Sequence, residues 1–364
     1  MNKTIFFYIL LIIVLIVFNS CKKDKSECLT CPPPPPDTTS HVIQWQAPDT
    51  LGTQGIIRDV WVFSKTDAWA VGEIYLNDSI GNLNMNTLYN AAHWDGTKWT
   101  PMRIPYDYGG QPFFGEIYSI FAFSTNDIWF AGGLIHWNGQ QFTNVSVPSS
   151  VWGQFLIKKI WGTSSNNLYI VGNGGSIARY NGNNWTKMAS NTTVDLQDIW
   201  GIDGSHIWAT GTNTGDGHCV VLQSNGTSWT TIYDSNSQPA QSQYQFGTVW
   251  TNTPSSLYLD GGSKLRSLNL SNLAFGPEIE TGQTYVTYKI RATRSNDIFA
   301  VSAAAELAHY NGSTWYLYPE LKMLNNSSAF VFFYTIHPIN DFVLVGGEFF
   351  TGLNGFPVVI RGYR

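Results

Sequence analysis

Residues 167–172 read Asn-Leu-Tyr-Ile-Val-Gly, and variants of this segment occur seven times along the chain. Each copy surrounds a central aromatic residue with apolar neighbours, a pattern typical of a buried β-strand. The central aromatics are Trp69, Trp129, Tyr169, Trp208, Tyr258, Phe299 and Phe342. Successive copies lie 39 to 60 residues apart, which indicates a period near 40 with insertions. Self-similarity at such a period is typical of a repeat architecture.

Each copy has the same sequence context. Eight residues before the central aromatic there is a second apolar position, often aromatic: Trp61, Phe121, Trp161, Trp200 and Trp250. After the copy come two further apolar segments joined by a tight turn, as in Tyr180-Asn181-Gly182-Asn183-Asn184-Trp185. Asn-Gly and Asp-Gly are strong hairpin signals because both residues tolerate positive φ. Each repeat therefore predicts four short antiparallel strands.

Seven such sheets predict an all-β fold, a seven-bladed β-propeller, because a single four-stranded sheet buries too little surface to be stable alone. The last repeat supplies three strands and ends with residues 358–361. Residues 41–48 have no repeat of their own, and Trp45-Gln46-Ala47-Pro48 is similar to the fourth-strand segment that begins at Trp99. We therefore expect the N-terminal strand to complete the last blade and close the ring.

The repeats resemble bacterial propeller repeats of the form W-G-[ST]-S-x-N-D-[IV]-W-A-V-G, and residues 161–169 are close to it. The set is similar to Asp-box (sialidase-like) and photosystem-assembly-factor-like propellers over residues 41–364. Of the Asp-box itself, only the Gly-x-x-Trp half recurs. Such propellers serve as scaffolds, binding domains and hydrolase domains, so the resemblance implies a fold and no single function.

Residues 1–20 read as a signal peptide, with Lys3 before an apolar run at residues 5–18. That run is shorter than the roughly 20 residues of a membrane-spanning helix. Phe18-Asn19-Ser20-Cys21 resembles the lipobox of bacterial lipoproteins. The resemblance implies cleavage before Cys21, acylation of Cys21 with palmitate-type chains, and anchoring to the outer membrane, on its periplasmic or outer side.

Residues 21–40 read as a lipidated tether, because a charged run is followed by five prolines at residues 32–36. Cys28 and Cys31 form a C-x-x-C motif without the βαβ context of a redox site or the second pair of a zinc site. A local disulfide in an oxidising compartment is the preferred interpretation. Cys219 lies in an apolar strand and is expected to be a buried thiol.

Composition excludes several classes of protein. The chain has 364 residues, of which 43% are hydrophobic, 15% aromatic and 12% charged, with a net charge of −5. These values argue against a disordered chain, a coiled coil and a helical bundle. Nucleic-acid binding is not expected, because it needs a basic face.

The loops place a candidate binding surface on one face of the propeller. The loop face carries the second-to-third-strand loops and the inter-blade links; the turn face carries the other turns. Long insertions fall on the loop face only, at residues 73–92, 101–116, 146–156, 212–221, 232–246, 316–329 and 347–358. Long loops on a rigid scaffold tend to carry function.

Aromatic residues in these insertions are the candidate ligand-binding residues, since flat rings suit sugars and protein hot spots. Fourteen of the 15 tryptophans occupy repeat positions and are explained by packing between blades. Trp152 does not. The candidates are Trp152, Tyr75, Tyr106, Tyr108, Phe114, Tyr244 and Phe349. Core packing under the loops is the alternative for each of them.

No catalytic residue, metal site or cofactor is predicted. His93, His136 and His309 share one repeat position, which favours a structural role. Carboxylates such as Glu73, Glu116 and Glu348 fall on the loop face, but nothing in the sequence pairs them as glycoside hydrolysis requires. Three hypotheses remain: a lipoprotein that binds a glycan or an envelope protein, a glycan-active hydrolase or lyase, and an assembly scaffold without a pocket.

Overall fold

The repeats fold as antiparallel sheets arranged in a ring. The computed structural model describes residues 37–153, 156–237, 246–325 and 329–364. In every blade the first strand lies innermost and the following strands pair outward in chain order. The predicted seven-bladed propeller of four-stranded blades is confirmed.

Blades one to four are built from sixteen strands. They are, in chain order, β3 (Gln54–Ser64), β4 (Asp67–Asn77), β5 (Leu83–Trp94) and β6 (Trp99–Met102) for blade one; β9 (Ser119–Ser124), β10 (Asp127–Ala131), β11 (Ile135–Trp137) and β12 (Phe142–Asn144) for blade two; β13 (Ile157–Ser164), β14 (Asn167–Gly172), β15 (Ile177–Tyr180) and β16 (Trp185–Met188) for blade three; and β17 (Leu196–Asp203), β18 (His206–Thr212), β19 (Cys219–Ser224) and β20 (Trp229–Asp234) for blade four.

Blades five to seven complete the ring. Their strands are β21 (Val249–Trp250), β22 (Ser256–Asp260), β23 (Leu265–Asn269) and β24 (Ala274–Ile279); β25 (Thr287–Arg294), β26 (Asp297–Ser302), β27 (Leu307–Tyr310) and β28 (Trp315–Leu317); and β29 (Phe330–Pro338), β30 (Phe342–Thr351) and β31 (Asn354–Tyr363). Blade five forms although it lacks the Asn-Gly turn.

The two chain termini close the ring in the last blade. The N-terminal strand β1 (Gln44–Trp45) pairs with β31 through Gln44 opposite Tyr363 and Trp45 opposite Gly362. A second short strand, β2 (Asp49–Thr50), also pairs with β31. The side chains of Ile43 and Leu51, on either side of these strands, are buried. The predicted completion of the last blade by the N-terminal strand is therefore confirmed.

Repeated polar contacts hold the outer strands together. In the Asn181 turn, the side-chain oxygen accepts from the backbone N–H groups of Asn183 and Asn184, and Gly182 has φ +92°. In three blades a third-strand histidine hydrogen-bonds the aspartate that begins the second strand and lies against its central aromatic. The pairs are His93–Asp67, His136–Asp127 and His309–Asp297. This is the structural role expected for these histidines.

The loop-face insertions are more regular than expected. In blade one, residues 73–77 extend β4 and residues 83–92 extend β5, so the insertion is a long hairpin. Blade seven has the same kind of extension in β30 and β31. The cause is continued apolar–polar alternation, since Ile74 is buried whereas Glu73 and Tyr75 on either side are half-exposed.

Short elements occupy several inter-blade links. A separate hairpin of β7 (Tyr106–Tyr108) and β8 (Gln111–Phe113) lies between blades one and two. Two single-turn helices lie in later links, α1 (Ser149–Trp152) and α2 (Pro319–Lys322). A 3-10 turn at Asn173–Gly175 lies within blade three, between β14 and β15. Among the described residues, no helix combines the length and apolar character needed to cross a membrane. The predicted signal peptide, Cys21, the C-x-x-C motif and the proline run lie outside the described residues.

Candidate functional site in the central channel

A ring of polar residues surrounds the central channel at mid-depth. Each blade contributes one residue from its first strand or the segment leading into it. In blades one to six this residue lies two positions before the residue that precedes the repeat aromatic by eight. In blade seven it is Thr335, which pairs with Gly346 just after a β-bulge, as Asp59 pairs with Val71 in blade one. The seven residues of this polar girdle are Asp59, Ser119, Lys159, Asp198, Thr248, Lys289 and Thr335. Six of these seven residues are buried, and all seven lie among apolar neighbours. Their shared register shows that the repeat itself positions this ring.

Two carboxylates organise the girdle. Asp59 pairs with Lys159 and accepts hydrogen bonds from Ser119 Oγ at 3.1 Å and Thr335 Oγ1 at 2.9 Å. Across the channel, Asp198 accepts from Thr248 Oγ1 at 2.8 Å and from the Arg291 guanidinium at 2.7 and 3.0 Å. Both aspartates are therefore fully hydrogen-bonded, as buried charges must be.

The charges of the girdle are strongly coupled. Burial opposes ionisation of Asp198, but Arg291 and Lys289 outweigh it and hold its pKa below the usual range. Lys289 lies 3.4 Å from Asp198. Burial, together with Arg291 and Lys159, nevertheless lowers the pKa of Lys289 to about 8. The channel therefore has more positive charge than its two aspartates neutralise.

Above the girdle the channel opens on the loop face as a chamber of about 470 Å³. Its wall includes the residues immediately before the girdle in each blade: Arg58, Tyr118, Lys158, Gln197, Gly247, Tyr288 and Tyr334. The carboxylate of Asp195 and the side chains of Thr212 and Thr214 complete the wall. Consecutive strand residues normally face opposite sides. A β-bulge at this point in β3, β13, β17, β25 and β29 turns both residues toward the channel. We call this space the loop-face chamber.

Cations and tyrosines define the chemistry of the loop-face chamber. Arg58 pairs with Glu116 at 2.6 Å. Lys158 has no ion pair among the described residues, and its ammonium lies 5.0 Å from the centre of the Tyr118 ring. Burial and the nearby Arg58 lower the pKa of Lys158. Tyr288 and Tyr334 lie side by side, with ring centres 5.3 Å apart.

A second cavity adjoins the loop-face chamber at Tyr118, which lines both. This aromatic groove also has a volume of about 470 Å³ and lies between the blade-one hairpin and the β7–β8 hairpin. It brings together three of the predicted ligand-binding residues, Tyr75, Tyr106 and Phe114. The Arg103 guanidinium lies 3.9 Å from the centre of the Phe114 ring.

Carboxylates that the sequence could not pair meet near this groove. Tyr75 Oη donates to Glu73 at 2.8 Å, and Glu116 lines the same cavity. Burial and the nearby Glu73 together raise the pKa of Glu348 to about 7, although Arg58 and a hydrogen bond with Tyr334 oppose the rise. A carboxyl group that is half-protonated near neutral pH beside other carboxylates is one arrangement that acid–base catalysis uses.

The remaining predicted residues lie apart from this groove. Phe349 packs against the buried cluster of blades six and seven. Tyr108 ends β7 opposite Gln111 in the hairpin, and Tyr244 lies outside the described residues. Trp152 is 6% exposed and packs among Trp129, Leu134 and Ile157. Core packing, the alternative given for these aromatics, accounts for the position of Trp152, because helix α1 turns its ring inward.

Sequence reasoning missed the channel residues. Polar residues at one register of seven otherwise apolar strands were the available signal, since a buried Lys or Asp requires a partner. The tryptophans two positions later were assigned to blade packing, although Trp61, Trp161 and Trp200 also line the channel. In the part of the chain that the structure describes, no group of three or more His, Cys, Asp or Glu side chains could hold a metal ion.

Comparison with known proteins locates the fold and leaves the function open. No family model matches the sequence, and no curated protein matches it. Among solved structures, a photosystem assembly factor, YCF48 bound to D1 peptide, is similar with a TM-score of 0.63 and 15% identity, covering 90% of this chain and 99% of that chain. YCF48 from Cyanidioschyzon merolae gives a TM-score of 0.57 and 14% identity, covering 87% and 99%.

A WD40 propeller is similar to nearly the same extent. The β-propeller domain of Doa1 gives a TM-score of 0.56 and 10% identity, covering 89% of this chain and 98% of that chain. Sequence identities as low as these show that the folds are similar, and they carry no information about function. The photosystem-assembly-factor-like part of the resemblance is confirmed at that level, whereas the Asp-box and lipoprotein parts gain no support. By fold, the chain is similar to propellers of the YCF48 and WD40 types.

Proposed function

We propose that this chain is a cell-envelope lipoprotein whose propeller binds an acidic, extended segment of a partner protein in the loop-face chamber. The observation that carries this proposal is the excess of cationic groups in a chamber walled by tyrosines. Its size lies within the 300–1,000 Å³ range typical of ligand pockets. The binding role is non-catalytic, and the partner is expected to be another envelope protein.

Charge makes an acidic segment the best match. Four cations line the chamber, Arg58, Lys158, Lys159 and Lys289, against two lining carboxylates, Asp59 and Asp195. Arg58 is paired with Glu116 and Lys159 with Asp59, whereas Lys158 has no ion pair among the described residues. Burial is the main cause of the lowered pKa values of Lys158 and Lys289, because it removes water from their ammonium groups, and the nearby Arg58 and Arg291 add to it. A carboxylate entering the chamber would replace the lost water around these cations with charge-assisted hydrogen bonds.

The tyrosines suit a peptide. Tyr118, Tyr288 and Tyr334 offer flat apolar faces with hydroxyl groups at their tips, which is the type of surface that recurs at protein-binding sites. One structure with the same fold, YCF48, is bound to a peptide. That similarity adds to the proposal only as an example of what such a propeller accommodates.

The route of the chain leaves the loop face accessible. Thr39 N donates to the carbonyl of Asn311 at 2.9 Å, and Thr39 Oγ1 donates to the carbonyl of Asn296 at 2.7 Å. Both carbonyls belong to turns of blade six on the turn face. Thr39 therefore lies on the face opposite the loop-face chamber and does not cover that chamber.

We expect Lys158→Glu to weaken binding of an acidic peptide by at least about tenfold, because it replaces attraction by repulsion inside the chamber. Fluorescence anisotropy with labelled Asp-rich, Ser-rich and Lys-rich peptides measures this. The Asp-rich peptide should bind most tightly to the wild type, and its affinity should fall as salt is added.

Lys65→Glu is the matched control, since the exposed Lys65 lies on the turn face and carries the same change of charge. Its affinity should stay close to that of the wild type. Equal losses in both variants, or a preference of the wild type for the Lys-rich peptide, would contradict the proposed site.

Lipidation is tested separately from binding. We expect Cys21→Ala to abolish incorporation of a clickable palmitate analogue and to move the protein out of the membrane fraction, because the Cys21 sulfur would carry the diacylglyceryl group through a thioether bond. Metabolic labelling followed by fractionation measures both. Unchanged labelling of the Cys21→Ala protein would overturn the lipoprotein half of the proposal and leave the binding half intact.

A glycan is the second candidate ligand, and the aromatic groove is the observation that favours it. Tyr75, Tyr106 and Phe114 lie around one cavity with Glu73 and Glu116. Aromatic faces and carboxylate acceptors together suit a sugar ring and its hydroxyl groups. Saturable binding of an envelope polysaccharide that survives Lys158→Glu would place the ligand in this groove, and cleavage of that polysaccharide would indicate the hydrolase alternative.

A further inference from the structure

The channel has a second chamber below the polar girdle, on the turn face. Its volume is about 110 Å³. Its wall includes Trp61, Phe121, Trp161, Trp200 and His337, which lie two positions after a girdle residue in their strands. We call this space the turn-face chamber. It is separated from the loop-face chamber by the girdle and plays no part in the function proposed above.

The rings of this chamber are packed against one another but keep accessible faces. Trp61 contacts His337 with ring centres 4.4 Å apart and Phe121 with centres 4.9 Å apart. Trp61, Phe121, Trp200 and His337 lie deep in the channel, yet each keeps part of its surface in contact with the cavity. In a well-packed core such rings would be covered by neighbouring side chains. The cavity that they surround is therefore open to a guest.

The floor of the chamber disfavours a cation. Asp59, the carboxylate that lines it, is already bonded to Lys159, Ser119 and Thr335. Lys159 and Arg291 line the same space. A guest with a positive charge would meet two cations and a carboxylate whose oxygens are already in use.

His337 supplies a hydrogen-bonding group for a neutral guest. Burial, aided by Arg291 and Lys159 and opposed by Asp59 and a hydrogen bond to the Val60 backbone, lowers the pKa of His337 to about 4, so the imidazole is neutral at physiological pH. A neutral imidazole has one N–H donor and one lone pair that accepts. An apolar ring with a single hydroxyl group therefore matches both the walls and the polar edge.

We propose that the turn-face chamber binds one neutral six-membered aromatic ring bearing a hydroxyl group, a phenol, with its ring against Trp61 and Phe121 and its hydroxyl at His337. Size limits the guest to a single ring: an apolar protein cavity of about 150 Å³ admits benzene, and this chamber of about 110 Å³ is smaller but is not fully enclosed. The phenol belongs either to a free small molecule or to a tyrosine side chain on a second protein. Both sources share this chemistry, and the test distinguishes them.

The test is isothermal titration of the full chain with 4-methylphenol, toluene, benzylamine and the tripeptide Gly-Tyr-Gly. We expect saturable binding of 4-methylphenol, at least about tenfold tighter than binding of benzylamine. Tripeptide binding as tight as that of 4-methylphenol assigns the site to a tyrosine side chain, and much weaker tripeptide binding assigns it to a free phenol. Absence of 4-methylphenol binding, or equal binding of benzylamine, would overturn the proposal.

Two variants locate the binding. His337→Phe keeps a ring against Trp61 and removes the lone pair, so 4-methylphenol should bind at least about tenfold more weakly while toluene binding is retained. Ala292→Phe fills the chamber that Ala292 lines and should abolish both. His206→Phe, at an exposed histidine of blade four, is the matched control and should bind as the wild type does. Unchanged 4-methylphenol binding in Ala292→Phe would place the phenol elsewhere and refute the site.

Discussion

Replacing Asp198 by asparagine is expected to lower the free energy of unfolding by about 3–5 kcal/mol, since it leaves buried cations without their carboxylate. Asp198 is fully buried and faces Arg291, Lys289 and Thr248. Asparagine keeps the shape and removes the charge, so the effect reports electrostatics more than packing. Urea unfolding followed by tryptophan fluorescence measures the loss.

The pH dependence of this effect has a definite sign. Because the folded protein holds the pKa of Asp198 below its usual 3.8, the carboxylate stabilises the fold fully above that pH. The contribution is lost as pH falls through the lowered pKa. The difference between wild type and Asp198→Asn should therefore be constant near neutral pH and shrink in acid.

Asp203→Asn is the matched control, because it makes the same substitution at the exposed end of the same strand. Asp203 pairs with His206 at 2.9 Å on the surface. The Asp203→Asn variant should lose no more than about 0.5 kcal/mol of its free energy of unfolding. Adding Arg291→Met to Asp198→Asn should restore part of the stability, and additive losses in the double variant would contradict the coupling described for the girdle.

The blades could be predicted from sequence because their signals are local. Asn181 and Gly182 encode a turn through their own backbone and side-chain geometry, wherever the hairpin lies in the protein. The ring closure followed from the same logic, since Trp45 begins a segment like that at Trp99 and the last repeat lacked a strand. These features need no knowledge of contacts between distant residues.

The contacts inside the channel could not be predicted from local sequence signals. Asp59 meets Lys159 and Asp198 meets Arg291 across about a hundred residues, and these pairs exist only when the ring closes. The β-bulges that turn Arg58 toward the channel depend on pairing with the second strand. The location of Trp152 was also beyond the sequence: its irregular position suggested a ligand site or core packing, and only the single helical turn shows that its ring is buried.

Closure of the ring by the N-terminal strands is expected to be essential for stability. Deleting residues 41–50 from the full chain removes β1 and β2, the pairing of Asp49 with Arg361 at 2.8 Å, and the buried side chain of Ile43. Loss of a buried isoleucine alone typically costs about 2–5 kcal/mol, against a total stability of about 5–15 kcal/mol for a domain. We expect loss of the cooperative thermal transition in circular dichroism, and aggregation during size-exclusion chromatography, because the β31 edge becomes unpaired.

Two point substitutions in the N-terminal segment distinguish loss of ring closure from a nonspecific effect of changing this segment. Ile43→Ala, at a residue 7% exposed, should destabilise by about 2–5 kcal/mol, whereas Val42→Ala, at a residue 74% exposed, should change stability by less than about 0.5 kcal/mol. A deletion variant that still melts cooperatively near the wild-type temperature would show that the three remaining strands of blade seven suffice. The geometry argues otherwise, because β31 pairs with β30 on one side and has only β1 and β2 on the other.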